Sequence, residues 1–386
     1  MQNFEFFNPV NIIFGQGQIK KLSKLVPTGI KIMLAYGGGS IFKNGVYDQV
    51  KAALTGYDIV EFGGIEPNPH YETLMKAVDI VRKEKIGFIL AVGGGSVLDG
   101  VKFIAAATLW EGGDPWEFLT NRTLTVTRAI PLGSVITLPA TGSEMNGNSV
   151  VTRISTQEKL AFNSNAVLPL FSILDPITVF SLPEKQVANG IVDAFVHVIE
   201  QYLTYPVNSP IQDRFAEAIL VTLVEEGPKV LADRNDYDAA ANFMWAATMA
   251  LNGLIGAGVP QDWATHTIGH ELTAFHNIDH ARTLAIVLPG IMQVKRENKH
   301  QKLVQFGERV WKITDGTDEE KIDRTIRKTV GFFESVGIPT HLSAYNIGAE
   351  FIDVLCNRFT SRGIKGIGER EDLTIEQIAE VLKLQL

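Results

Sequence analysis

The 386-residue sequence has a single cysteine, Cys356, so it can close no disulfide within the chain and build no thiolate metal cluster. It has no long basic run. Lys and Arg number 35 against 43 Asp and Glu, a net charge of −8, which argues against nucleic acid or an anionic membrane as partner. No apolar stretch approaches the roughly eighteen residues of a membrane span. The opening, MQNFEFFNPV, lacks a basic segment followed by an apolar one and does not read as a secretory signal. A cytoplasmic protein is the expectation. Internal repeats and low-complexity tracts are also missing, as is the G-x-G-x-x-G fingerprint of dinucleotide folds. What is present is the composition of a globular protein, in a length that suits two domains.

Against that background one stretch stands out. QDWATHTIGHELTAFHNIDHA carries four of the eight histidines, at 266, 270, 276 and 280. Residues four apart share a helix face, about 6 Å apart along the axis. His266 and His270 form one such pair, His276 and His280 a second, with Asn277 and Asp279 able to end or bend the helix between them. Asp193 and His197 repeat the spacing in VDAFVHVIE. One carboxylate and several imidazoles on apolar helices suit a divalent transition metal with an open coordination position. A single such pair is common on helices and carries little. Half of the chain's histidines within fifteen residues, plus an Asp/His pair, carries the metal reading. Spacing alone leaves open which three or four are ligands.

Taken in order, the first half alternates strands and helices. FEFFNPVNIIFGQG reads as an edge strand or hairpin and QIKKLSKLV as a short helix. KIMLAYGGGS is a strand from Ile32 to Tyr36 running into glycines, and VYDQVKAAL is helical. DIVEFGGI, GFILAVGGGS, AIPLGSVITL and finally LFSILDP supply further strands, with helices in YETLMKAVDIVRKEK and after GGGS. Such alternation predicts a parallel α/β sheet. Past LFSILDP, helix signals dominate: 183–204, 212–225, 238–255, 261–275, 283–312, 317–336, 348–361 and 374–385. The boundary falls near residue 180, giving an α/β domain at 1–180 and a helical domain at 181–386.

Two strand–Gly-Gly-Gly-Ser–helix turns, at 37–40 and 93–96, form the second constellation. Amides freed by glycine at the positive end of a helix suit a pyrophosphate, and glycine removes the Cβ that would hold it off. Ser96 and Asp99 have the spacing of a capping box. The first loop has no acid to bind a ribose 2′-hydroxyl, and Lys43 follows closely, which favours NADP(H) over NAD.

An α/β nucleotide half followed by Asp-x3-His and a histidine cluster resembles the iron-containing (group III) alcohol dehydrogenases. The resemblance rests on GGGSVLDGVKFIAAA, TLPATGSE, VDAFVHVIEQY and THTIGHELTAFHNIDHA and spans essentially the whole chain. YGGGSIFKNGVYDQV and NGLIGAGVPQDWATH point to its butanol dehydrogenase and NADPH-dependent aldehyde reductase branch. It implies a Rossmann-like parallel sheet with an all-α metal-binding domain, the architecture shared with dehydroquinate synthase. It also implies one divalent metal, iron or zinc, on Asp193, His197, His266 and His280. His270 would lie near the nicotinamide and act in catalysis, with His276 a nearby pocket residue. Gly37, Gly38, Ser40, Gly94, Gly95, Ser96, Asp99, Thr137, Thr141 and Lys159 fall where the family holds the dinucleotide. Relatives preferring NAD often carry an aspartate where this chain has Gly39, in line with NADP. The implied activity is hydride transfer between NADP(H) and a metal-polarised aldehyde, giving a primary alcohol, in a homodimer. Phe162, Phe195, Leu254, Ile255 and Phe275 are candidates for an apolar substrate lining. The rivals are an NAD-dependent polyol dehydrogenase on the same scaffold and a non-catalytic nucleotide sensor.

Overall fold

A computed structural model describes all residues, 1–386. In chain order the first half contains β1 (Asn11–Phe14), α1 (Leu22–Leu25), β2 (Ile32–Tyr36), α2 (Ser40–Lys43), α3 (Val46–Ala53), β3 (Ile59–Phe62) and α4 (Tyr71–Glu84). It continues with β4 (Phe88–Gly94), α5 (Gly95–Thr108), α6 (Glu117–Thr120), β5 (Leu132–Leu138), β6 (Asn148–Arg153), β7 (Glu158–Asn163) and β8 (Phe171–Leu174). The second half contains α7 (Glu184–Tyr202), α8 (Pro210–Ala232), α9 (Tyr237–Ala250), α10 (Ala264–His276), α11 (His280–Val294), α12 (His300–Arg309) and α13 (Asp318–Ser335). It ends with α14 (Glu350–Ser361), β9 (Gly366–Ile367), β10 (Leu373–Thr374) and α15 (Ile375–Lys383).

Two compact units emerge: Phe7–Val187 with Ala232–Asn252, and Met1–Phe6 with Ala188–Leu231 and Gly253–Leu386. Relative to a single cut near residue 180, each unit takes a segment from the other side.

The first unit is built on a six-stranded sheet in the order β1-β8-β5-β4-β2-β3, every neighbouring pair parallel. Its central strands are apolar on both sides because both faces are covered. Along β2, Met33 and Ala35 enter the core shared with α4 and α5. Ile32 and Leu34 enter the opposite core, with Ile19, Leu22, Val46 and Val50. A strand's alternation thus feeds two helical layers. The β1 edge position matches the reading of the opening segment.

One feature of this unit has no counterpart in the sequence reading. β6 and β7 form a separate antiparallel ladder, Asn148 opposite Asn163 through Arg153 opposite Glu158. Its turn is closed by Gln157 at φ 52°, a non-glycine residue in the left-handed region that no turn motif marks.

The second unit is helical, with only the two-residue β9–β10 ladder added. α11 and α12 replace the single stretch expected over 283–312. The break holds Lys299, whose Nζ donates to Leu203 O at 2.6 Å and to both Glu369 oxygens at 2.9 Å, and pairs with Asp262 at 2.5 Å. A lysine that is 3% exposed must be fully partnered, and this one occupies the N-cap position of α12. No helix of the chain is long and apolar enough to cross a membrane.

Candidate functional site

The first unit carries the glycine turns at the carboxyl ends of β2 and β4. β4 passes directly into α5, with Gly94 at the N-cap position and no side chain capping the helix. A Cβ on Gly93 would lie 2.6 Å from Val97 Cγ2, one on Gly94 3.1 Å from Leu138 Cβ, and one on Gly95 would overlap the Thr141 side chain. The turn is pressed against the ends of β5 and its own helix, so a side chain at 93 or 95 would force a neighbour to shift and one at 94 would be tight. The first amides of a 14-residue helix are left without a side-chain acceptor, the arrangement that favours an anion. At the first turn, a Cβ on Gly37 would meet Ile65 O at 3.2 Å, and Gly39 sits at φ +92°. Glycine at 39 therefore has a backbone reason of its own, besides the absence of an acid. Lys43 closes the short α2 and is exposed.

The expected capping box does not form. Ser96 lies inside the first turn of α5, and its hydroxyl accepts from Asn68 N–H at 3.3 Å. Asp99 accepts from Ser143 Oγ at 2.6 Å and Val150 N–H at 3.0 Å. The extended cap position, at φ −86° and ψ −171°, falls on Gly94, two residues before Ser96, so a glycine stands where the capping side chain would be. Asn68 also accepts from Lys159 Nζ at 2.9 Å, so Ser96 and Lys159 are joined through a residue that the sequence did not single out. Thr137 is buried at the end of β5, and Thr141 Oγ1 accepts from Ser143 N–H at 3.2 Å.

Beneath the turn lies Lys102, wholly buried, donating to Ser143 O and Oγ at 2.7 Å and to Asn146 O and Asn148 O at 2.8 Å. Burial pulls its ammonium down to about 8, opposed by Asp99 and Glu144, whose carboxyls burial pushes up. The Asp-x2-Lys spacing on an apolar helix was the available signal for this network.

The second unit gathers the other constellation. Asp193 and His197 on α7, His266 on α10 and His280, the first residue of α11, bring one donor atom each to within 4.8 Å of one another. Asp193 Oδ1 is 3.7 Å from His280 Nε2, and Asp193 Oδ2 is 4.0 Å from His197 Nδ1. The His197 and His266 rings are 4.7 Å apart, and those of His266 and His280 5.0 Å. These spacings exceed hydrogen-bond reach. The two atom-to-atom distances from Asp193, 3.7 and 4.0 Å, approach the roughly 3.4 Å edge of a tetrahedron with bonds of about 2.1 Å. Asp193 Oδ1 is buried and accepts no hydrogen bond. A buried carboxylate oxygen facing imidazoles at that distance is the chemistry of a cation site, and the nitrogen and oxygen donors suit iron or zinc.

α7 also supplies Glu200. One of its oxygens contacts His266 Nδ1, and the other accepts from the backbone of Thr265 at 2.7 Å and His266 at 3.2 Å. Burial, then the Asp262 charge, pushes its carboxyl up to about 8.

His270 stands beside the cluster, its ring 5.1 Å from His280 and 6.0 Å from His266. His276 does not pair with His280 on one helix face. α10 ends with Asn277 in the left-handed region, and α11 begins afresh at His280. His276 packs instead on Phe351, ring to ring at 4.4 Å. Two of the expected substrate-lining residues are core. Phe195 is enclosed by Phe306, Trp311, Phe332 and Phe333, and Phe162 packs on Phe118. Ile255 is buried and Leu254 half-buried, while Phe275 lies between Phe351 and the Arg358 guanidinium.

An α/β unit with glycine turns and a helical unit with an Asp/His3 cluster define a metal-dependent dehydrogenase architecture, and comparison with known proteins agrees. The chain belongs to the iron-containing alcohol dehydrogenases: residues 9–176 match the family model of that name, and 187–386 match the C-terminal model of the same family. The NADPH-dependent aldehyde reductase YqhD of Escherichia coli is 55% identical over 377 residues, 97% of each chain. The probable NADH-dependent butanol dehydrogenase 1 of Bacillus subtilis is 40% identical over all of both chains. Among solved structures, Escherichia coli YqhD superposes with a TM-score of 0.98 at 53% identity, covering 100% of this chain and 99% of that one. NADH-dependent butanol dehydrogenase A of Thermotoga maritima gives 0.95 at 37% identity, with the same coverage.

Proposed function

We propose that the protein is an NADP(H)- and metal-dependent alcohol dehydrogenase working as an aldehyde reductase, with butanal-like aldehydes as substrates and primary alcohols as products. The observation that carries this reading is the convergence of four donor atoms from three helices within 4.8 Å. When bound, the metal supplies a Lewis acid for the carbonyl and the nicotinamide supplies hydride.

Asp193, His197, His266 and His280 hold the cation, three of them buried so that competing water is kept off. Gly37, Gly38 and Ser40, with Gly94, Gly95 and Ser96, offer backbone amides and hydroxyls to the dinucleotide phosphates, and Thr137, Thr141 and Lys159 adjoin them. Both Asp99 oxygens are occupied by Ser143 and Val150, so Asp99 serves by holding the Ser143 turn in place. His270, beside the cluster yet outside the donor set, is placed to pass a proton to the developing alcohol. NADP over NAD is supported by Gly39 and Lys43 and by the cofactor named for the 55% relative. The family resemblance supports a homodimer. Net charge −8 speaks against nucleic-acid or membrane partners, and the single cysteine suits the cytoplasm.

The test is cofactor oxidation with butanal, NADPH beside NADH, before and after chelation and after adding back Fe(II) or Zn(II). Turnover with NADPH that chelation removes and metal restores supports the whole reading. Turnover with NADH alone overturns the cofactor assignment. Turnover with a diol or glycerol and NAD but not with butanal replaces the substrate class. Stoichiometric metal without any turnover points to a sensor.

A further inference from the structure

Four polar residues lie along one stripe of α7: Asn189, Asp193, His197 and Glu200. At about 100° per residue they fall within an arc of roughly 80°, on one face of α7. The inner two are proposed ligands. The outer two each reach a different neighbouring helix at the point where it carries another ligand. Glu200 contacts His266 Nδ1 and also accepts from the backbone N–H of His266 and Thr265, so it fixes both the ring and the peptide that bears it. Asn189 Nδ2 donates to Asp279 Oδ2 at 3.0 Å. Asp279 is the residue before His280 and occupies the N-cap position of α11, yet its side chain makes no capping bond to that helix. Its carboxylate is turned to Asn189, which ties the start of α11 to α7. Both residues are buried, Asn189 7% and Glu200 3% exposed, and a polar side chain is kept in such a place only when its bonds matter.

We infer that Asn189 and Glu200 are positioning residues that hold His280 and His266 in register with Asp193 and His197, so that α7 alone organises all four ligands. The inference rests on the metal reading above. A carboxylate on Nδ1 fixes the imidazole tautomer with Nε2 as donor and makes that nitrogen more basic. The asparagine acts on position, through the peptide next to His280, and carries no charge.

The experiment is Zn(II) affinity by competition with a chromogenic chelator, on wild type, Glu200→Gln and Asn189→Ala, with far-UV circular dichroism confirming that each is folded. Wild type should bind one Zn(II) per chain. Each variant should bind it about 10- to 100-fold more weakly, the range typical for loss of a group that orients a ligand. Co(II) loaded into each should show altered visible ligand-field bands, which a change in general stability would not produce. Glu200→Asp, keeping a carboxyl group on a shorter reach, should recover part of the loss. A folded variant binding Zn(II) within twofold of wild type, with an unchanged Co(II) spectrum, overturns the role given to that residue. Should one variant fail to fold, the other decides for its own half of the stripe. A wild type that takes up no stoichiometric metal overturns the metal reading itself, a result distinguishable from any difference among variants.

Discussion

At the turns after β2 and β4 the chain withdraws its side chains, whereas at α7, α10 and α11 it concentrates them. Gly93 and Gly95 leave no space for a Cβ, and the groups offered there are peptide amides, identical in every sequence. Asp193, His197, His266 and His280 do the reverse. Their backbone is ordinary helix, and specificity lies in four side-chain atoms held by neighbours such as Glu200. The backbone site depends on shape and fails by crowding. The side-chain site depends on chemistry and fails by deletion. A ligand spread over a long anionic backbone suits the first, and a small cation that demands particular donors suits the second.

Substitutions can break or sharpen that contrast. The largest effect should come from His266→Ala or His280→Ala. Metal content by elemental analysis should collapse and turnover fall by roughly a thousandfold or more, because polarisation of the carbonyl contributes several kcal/mol. A variant that keeps most of its rate removes the metal assignment. Next, His270→Ala should keep its metal and lose about 10²- to 10⁴-fold in kcat, the range for a positioned proton donor. Loss of metal instead would place His270 among the ligands. At the other site, Gly95→Ala drives a methyl into the Thr141 side chain. It should lower stability by about 1–3 kcal/mol and weaken NADPH binding while Zn(II) affinity stays at the wild-type value. Equal loss of both would mean that the two sites are not built independently.

Gly39→Asp is a finer probe. It should lower the NADPH/NADH ratio of kcat/KM by about tenfold, since a carboxylate there repels a 2′-phosphate and accepts from a 2′-hydroxyl. Its backbone at φ +92° should cost about 1 kcal/mol of stability. An unchanged ratio would leave the glycine with its conformational role alone. The smallest effect concerns His276. Burial against Phe351 holds its imidazole below 6.5. The unfolded chain then binds the proton more readily, so this contribution to stability is complete above pH 6.5 and is lost as the pH falls below it. Urea midpoints at pH 7.5 and 5.5 should differ less in His276→Gln than in wild type. An identical difference would remove His276 as a source of the slope.

Much of the scaffold was legible. The strand from Ile32 to Tyr36 coincides with β2 because a short apolar run before glycines has few other uses, and the helix ends at Asn277, whose left-handed backbone asparagine tolerates, and restarts after Asp279. What escaped depends on contacts distant in sequence. The β6–β7 ladder has a polar outer edge and a glutamine in its turn, so neither alternation nor turn composition marks it. Within the break between α11 and α12, Lys299 is partnered by Leu203, Asp262 and Glu369, residues that no local window contains. The same holds around the ligands. Spacing on one helix nominates a histidine, but His276 is carried away by a break of three residues, and nothing near Glu200 in sequence points to His266.

That break, Asn277 to Asp279, also bears on how the cluster comes together. It makes α10 and α11 a helical hairpin that returns His280 to His266 through a very short link. Closing a loop of that length takes little chain entropy and belongs among the fastest events in folding. Asp193 and His197 arrive from a helix some seventy residues earlier, a slower and dearer closure. Half of the coordination sphere is therefore a local property of one hairpin, available while the rest of the helical unit is still assembling. A chain that captured its cation at that stage would have α7 dock last, with Asp193 supplying the negative charge.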